Sequence, residues 1–226
     1  AIADYEGLRA EQARLRDKGV LMGIGLGCFL DKSGTGSSIN LATRGGLHGG
    51  YESAVVRVHS DGKVTVFSGS HSHGQGHDTA FVQLAADALK LPMADIELVQ
   101  GDTDRVPFGN GTWGSRSASV GGVAIVMAAE KVLEKARKLA AHLLECAEED
   151  LDYEDGVFQV RGTDRVVSFG DVADAAYHGA RLPVDRSLAP GLEETVFYEP
   201  TDTNDPQAMH LVAVIVDAET GKVRVR

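Results

Sequence analysis

Residues 71–77 read HSHGQGH, with three histidines, two glycines and a glutamine in seven positions. Three imidazoles can hold a zinc ion. His71 and His73 would project from one face of a strand, and His77 lies just past the turn. No carboxylate or cysteine stands at a usual fourth-ligand spacing. A hydrogen-bonded histidine pair beside a polar cleft is the plainer reading, and no residue is assigned as a metal ligand. The same stretch also suits a different chemistry. GQGHDT (74–79) runs straight into an amphipathic helix, and GNGTWGSRSAS (109–119) precedes a second one. The first turn of a helix offers unpaired N–H groups at the positive end of its dipole, so it binds anions. Glycine lets the backbone approach a ligand closely. Gln75, Thr79, Thr112, Ser115 and Ser117 add neutral donors. Two such helix starts converging would suit a large ligand carrying several negative charges, such as a pyrophosphate.

Other chemistries fit less well. There is no GK[ST], so neither loop is a P-loop, and neither is read as a dinucleotide fingerprint. GSHSHG and GSRSAS are not the G-x-S-x-G elbow of a serine hydrolase. Asp102 and Asp104 in QGDTDR read as turn and cap residues. Trp113, the one tryptophan, stands inside a glycine loop and either covers a ligand or anchors the loop.

The elements that must position these residues are legible from local pattern. Residues 3–18 read as an exposed helix and LMGIGLGCFLD (21–31) as a glycine-rich strand. A loop over 33–50 follows. SAVVRVHSDGKVTVFSG is a hairpin turning at Asp61-Gly62. A helix is expected from about 78 to 90, with Phe81, Leu84, Ala85, Ala88 and Leu89 on one face. Then come a strand over 95–102, a glycine- and serine-rich loop, and a long helix from about 118 to 148. DYEDGVFQVRG (152–162) is another hairpin, and Ser168 with Asp171 forms a capping box. AVVRVHSDGKVTV (54–66) matches AVIVDAETGKVRV (213–225) without gaps. Either all hairpins look alike or a second copy of the unit opens there. The expected fold class is α+β, a two-layer mixed sheet with helices. The expected division is residues 1–50 (helix, strand, glycine loop), 51–150 (the ligand cradle), 151–209 (a small appended region) and 210–226 (the start of a truncated second subdomain). A chain ending in mid-strand is expected to be a fragment.

Composition narrows the partners. The chain has 226 residues and a formal net charge of −11. Long-range attraction to nucleic acid or an anionic membrane is disfavoured by that charge, so an anionic ligand must be held by local donors. No uninterrupted apolar run approaches membrane-spanning length. Cys28 and Cys146 lie far apart, which fits a reducing cytoplasm.

GQGHDTAFVQLAADALKLPMADIELVQGDTDRVPFGNGTWGSRS resembles the molybdenum-binding large subunits of the molybdenum hydroxylases, such as xanthine dehydrogenase, aldehyde oxidoreductase and aerobic carbon monoxide dehydrogenase. EKARKLAAHLLE and GLEETVFYEP resemble the carbon monoxide dehydrogenase branch. The resemblance runs from about residue 20 onward. It implies a molybdopterin with molybdenum, usually as the cytosine dinucleotide in bacteria. It implies that Gly74, Gln75, Gly76 and His77 form the turn that meets the pterin and molybdenum centre, Gln75 being the catalytic candidate. Thr79 would face the same ligand, and Thr112, Gly114, Ser115 and Ser117 would form the second loop around it. It further implies oxidative hydroxylation of a small-molecule substrate with water, and electrons leaving through iron–sulfur and flavin (FAD) partner subunits, in a dimer of heterotrimers. The family's base, a glutamate in a glycine-rich segment, has no counterpart here, and neither does its substrate-side loop. Two alternatives remain: a zinc enzyme on His71, His73 and His77, and a non-catalytic binding or assembly domain whose glycine loops are structural.

Overall fold

A computed structural model describes residues 3–34, 36–47 and 49–226. The chain divides into two compact units, one running through Lys32 and resuming at Asp205–Arg226, the other spanning Ser33–Asn204.

In the first unit, helix α1 (Tyr5–Arg16) begins at Asp4, whose carboxylate accepts from the Gly7 N–H. Strand β1 (Leu21–Leu30) pairs antiparallel with β9 (Gln207–Val216), which also pairs with β10 (Val223–Val225). The gapless echo between 54–66 and 213–225 is a hairpin at both places but not in the same register. Val58 faces Val64 in the first, whereas Val216 faces Val223 in the second, whose turn is one residue longer.

The second unit carries the sheet that matters for the site. Its strands are β2 (Glu52–Val58), β3 (Val64–Ser68), β4 (Ile96–Gln100) and β8 (Leu192–Tyr198), ordered β4-β3-β2-β8. The β3–β4 pair is parallel and the others antiparallel, so the sheet is mixed as expected. The hairpin turns at Asp61-Gly62, and Asp61 accepts from the Lys63 N–H at 3.1 Å. A parallel pair needs a crossover, and helix α3 (His77–Leu89) supplies it. The edge strand β8 was not expected as a strand; only its pairing with β2 reveals it.

Helix α4 (Val123–Leu143) covers one face of the sheet. Ala124, Ile125, Ala128, Ala129, Val132, Ala136, Leu139 and Ala140 recur at helical spacing and are all buried, so small side chains let α4 lie close to β2 and β8. Val55, Phe67 and Val99, with Val106, form a smaller cluster. The long helix is shorter than the 118–148 expected. Ser117–Gly122 is a π-helical turn, and the chain leaves α4 at Leu144, with Glu145 at φ +47°. The loop over 33–50 holds a short helix, α2 (Ser38–Ala42); residues 35 and 48 of that loop lie outside the described residues.

Beyond α4, strands β5 (Leu151–Glu154), β6 (Val157–Val160) and β7 (Val166–Ser168) form a second small sheet, followed by α5 (Phe169–Tyr177). Half of the capping box is realised: the Ser168 hydroxyl accepts from the Asp171 N–H at 3.0 Å, but the Asp171 carboxylate accepts from that hydroxyl at 2.6 Å rather than from the Ser168 N–H. No helix is long and apolar enough to cross a membrane among the described residues.

Candidate functional site

Both glycine loops leave the same end of the sheet. The first follows β3 and the second follows β4 after the irregular stretch 101–108. Near their starts the loops touch backbone to backbone: a Cβ on Gly109 would lie 2.2 Å from the Gly69 carbonyl oxygen, and a Cβ on Gly69 would lie 2.4 Å from that of Phe108. Only glycine fits either place.

A buried ion pair fixes the second loop. Arg116 and Glu52 have fully buried side chains, with Nη1 2.6 Å from Oε2. The guanidinium also donates to the carbonyls of Gly111, Tyr51 and Gly50 at 2.8, 2.7 and 3.3 Å. Glu52 Oε1 accepts from the N–H groups of Ser53 and Asn110 at 3.1 and 3.3 Å. Of the three guanidinium nitrogens, Nε lacks a partner. The Asn110 amide adds bonds to the Gly49 and Tyr51 carbonyls. The charge of Arg116 is therefore spent on folding the loop and is not offered to a ligand.

His71 ties the first loop to the second. The Thr112 hydroxyl donates to the His71 carbonyl at 2.6 Å, and the Thr112 N–H meets the His71 ring Nδ1 at 3.3 Å. The His71 and His73 Nε2 atoms are 2.6 Å apart and share a hydrogen bond. Neither residue lies on a strand as expected, because β3 ends at Ser68. His77 has turned away. It is buried as the first residue of α3, stacked on Phe81 at 4.3 Å, with both ring nitrogens engaged by Gln75 and Gln100. The zinc triad is thus not assembled, and among the described residues no group of three His, Cys, Asp or Glu could hold a metal ion.

Between the two loops lies a cleft of about 350 Å³. Gln75, His77, Thr112, Trp113, Ser115 and Ser117 line it, backed by Ala80, Phe81 and Ala118. No lining side chain is acidic or carries a fixed positive charge. Gly76, at φ +86° and ψ 23°, begins α3 with no side-chain cap, and a Cβ built there would meet nothing within 4 Å. Gly74 has φ +91° and is equally open. On the facing loop Gly114 and Ser115 have φ +57° and +54°, a conformation a serine adopts at some cost. The Ser117 hydroxyl, opening the π-helical turn, donates to Thr112 at 3.1 Å; π turns often mark functional sites. Trp113 Nε1 donates to the Asn110 carbonyl at 2.9 Å while its ring lines the cleft, so it both anchors the loop and covers the space. Thr79 is exposed on α3 and is not among the lining residues.

Several of these residues were not singled out from sequence. Glu52, Asn110, Gln100 and the pairing of Arg116 emerge only from geometry; an arginine inside an otherwise neutral glycine loop was the one local hint. Gly109, Gly111 and Gly114 do fall at G-x-G-x-x-G spacing. What excludes a dinucleotide fingerprint is structural, since the loop follows no strand directly and opens a π turn rather than an α-helix. Beyond His71, a second hollow of about 620 Å³ takes in Ser68, Gly69, Asp102, Phe108 and Asn110. Asp102 makes the expected turn there, accepting from the Asp104 N–H at 3.0 Å.

The model of the molybdopterin cofactor-binding domain matches residues 1–226. The chain is 40% identical over 227 residues to the carbon monoxide dehydrogenase large chain of Hydrogenophaga pseudoflava, covering 99% of this chain and 28% of that protein. Among solved structures it is similar to reconstituted CO dehydrogenase from Oligotropha carboxidovorans, with a TM-score of 0.83 and 35% identity over 98% of this chain and 28% of that one. Quinoline 2-oxidoreductase from Pseudomonas putida 86 gives a TM-score of 0.81 at 37% identity, over 98% of this chain and 28% of that one. The chain spans little more than a quarter of the length of these relatives. The α+β architecture, the two glycine loops meeting at a neutral cleft and these likenesses agree: the chain belongs to the molybdopterin cofactor-binding domain family.

Proposed function

We propose that this chain forms one wall of the cofactor site in the large subunit of a molybdenum hydroxylase of the carbon monoxide dehydrogenase-like branch. The observation that carries the reading is the neutral cleft between the loops, lined by Gln75, His77, Thr112, Trp113, Ser115 and Ser117. The residues present fit a molybdopterin. Gly76 leaves open a space that any side chain would enter, and the start of α3 has N–H groups that no side chain caps. The open N–H groups at the helix start suit an anion, and the neutral side chains of Gln75, Thr112, Ser115 and Ser117 place no negative charge beside it.

Gln75, Gly74 and Gly76 would meet the pterin from one side, and Gly114, Ser115 and Ser117 from the other. Thr112 would act mainly as a strut, because its hydroxyl already bonds the His71 carbonyl. Thr79, exposed nearby, would reach the ligand from outside the cleft. Buried Phe81, with Ala80, Ala118 and the Trp113 ring at the surface of the cleft, would give the ligand an apolar wall. When bound, the cofactor supplies two-electron oxidation of a small substrate with water as the oxygen source. We assign it as the cytosine dinucleotide form, with electrons passing to iron–sulfur and flavin subunits in a cytoplasmic dimer of heterotrimers.

The test is elemental and pterin analysis of the full-length protein from its native host. Near-stoichiometric molybdenum, with fluorescent pterin and CMP released by acid, supports the reading. Pterin without CMP removes the dinucleotide. Zinc without molybdenum, or neither metal from a host shown to make the cofactor, refutes it.

A further inference from the structure

A chain of hydrogen bonds runs from the surface to the cleft. The Asp78 carboxylate accepts from Gln100 Nε2 at 3.0 Å. Gln100 Oε1 lies 3.1 Å from His77 Nδ1, and His77 Nε2 lies 3.1 Å from Gln75 Nε2. Each link is only satisfied one way round. A carboxylate can only accept, so Gln100 must turn its amide nitrogen to Asp78 and its oxygen to the histidine. His77 Nδ1 must then carry the proton, and Nε2 must present a lone pair. Gln75 turns its amide nitrogen to His77 and to the His71 carbonyl, 3.3 Å away, and its oxygen toward the His73 N–H, so backbone groups on both sides hold the amide in the orientation the ring requires. The stack on Phe81 fixes the ring plane, and burial keeps water from substituting for either partner.

We propose that Asp78 and Gln100 are positioning residues that set the tautomer of His77, so that its Nε2 lone pair meets the Gln75 amide nitrogen and braces that side chain at the cleft wall. The functional half of this proposal rests on the reading of the cleft as the cofactor site. Neither residue touches the cleft, so both act only through the ring. Asp78 also stands in the first turn of α3, where a carboxylate is favourable beside the helix dipole. That role alone would stabilise the helix without selecting a tautomer.

The decisive variant is Asp78→Asn, which keeps the shape but can donate as well as accept. Gln100 is then free to turn over and offer its amide nitrogen to Nδ1, so His77 can move its proton to Nε2 and lose its bond to the Gln75 amide nitrogen, which the backbone of His71 and His73 holds in place. Asp78→Glu keeps an acceptor-only group and is the control. In full-length protein labelled with 15N-histidine, solid-state NMR reads the two ring nitrogens of His77, assigned against His77→Gln. The expected result is the Nδ1–H tautomer in the native protein and in Asp78→Glu, and a substantial Nε2–H population in Asp78→Asn. An Nε2–H ring in the native protein, or no change in Asp78→Asn, overturns the proposal whatever the cofactor. In the loaded enzyme, Asp78→Asn should lower kcat about tenfold at unchanged KM and molybdenum content, with Asp78→Glu recovering most of it. Parallel loss of kcat and molybdenum means Asp78 is merely structural and also overturns the proposal. A native protein without molybdenum refutes the function reading instead, and the NMR result then decides the hydrogen-bond chain alone.

Discussion

Replacing Glu52 by glutamine removes one charge and almost no volume. The structure says the change is severe. Three donors converge on the two carboxylate oxygens: the Arg116 guanidinium on one, and the N–H groups of Ser53 and Asn110 on the other. A glutamine has a single acceptor oxygen. Its amide nitrogen must face either the guanidinium or the two backbone N–H groups. Whichever it faces, Arg116 remains a fully buried cation without a counterion. Removing one partner of a buried pair costs about 3–5 kcal/mol. The cost should appear first where the pair acts, as local opening of the second loop and of the start of β2. Native-state hydrogen exchange of the full-length protein reads this directly. Peptides covering Gly50–Ser53 and Gly109–Ser117 should exchange faster by a factor of about 10² or more, from the tenfold change per 1.36 kcal/mol. Glu52→Gln combined with Arg116→Met buries neither charge and should recover at least half of the loss. Protection unchanged in those peptides, or lowered evenly across the whole protein, would refute the assignment of the pair as the clamp of the second loop.

Further outcomes follow from the same geometry. Gly109→Ala places a Cβ 2.2 Å from the Gly69 carbonyl oxygen, so backbone must move; the expected loss is about 1–3 kcal/mol, seen as a lower Tm. Gly76→Val and Gly76→Asn both put a side chain into the open space beside the start of α3, where the cofactor would approach, but asparagine tolerates a positive φ far better than valine. Molybdenum loading should fall in both, and Tm mainly in Gly76→Val; normal loading would refute the assigned approach of backbone to cofactor. Gln75→Ala should cut kcat sharply while the Tm moves little, because Gln75 is exposed and its bonds lie within the loop. Burial raises the Tyr153 phenol above its ordinary value, and its hydroxyl donates to the Leu89 carbonyl at 2.6 Å. The folded state thus holds this proton more tightly than the unfolded state. The contribution is intact below about pH 10, the unfolded value, and is lost as pH rises beyond it. Tyr153→Phe should lower stability by about 1 kcal/mol at neutral pH and flatten the loss above pH 10, measured by denaturant titration across pH.

Much of this protein is written in short stretches. Asp61-Gly62 makes its turn, and Ser168 with Asp171 caps its helix, because each depends on residues two or three apart. Phe81, Ala85 and Leu89 of α3 are buried as their spacing predicts, although Val82 and Ala86 are buried where Leu84 and Ala88 are only partly so, and the order of residues around the two glycine loops carries the family resemblance. What the local pattern could not supply is which loop meets which. Glu52 finds Arg116 across 64 residues, and His71 finds Thr112 across 41. His71 and His73 read as strand neighbours, yet β3 stops at Ser68, where Gly69 must give way to the backbone of the second loop. The sequence left a metal triad open beside the plainer reading of a hydrogen-bonded histidine pair, because spacing says nothing of ring orientation, and the structure shows the pair at His71 and His73. Packing against Phe81 and the bonds to Gln75 and Gln100 turned His77 into a buried support. Helix, turn and cap propensities are set by adjacent residues, whereas a buried charge or ring takes whatever partner the packed sheet brings near, and only the fold specifies that partner.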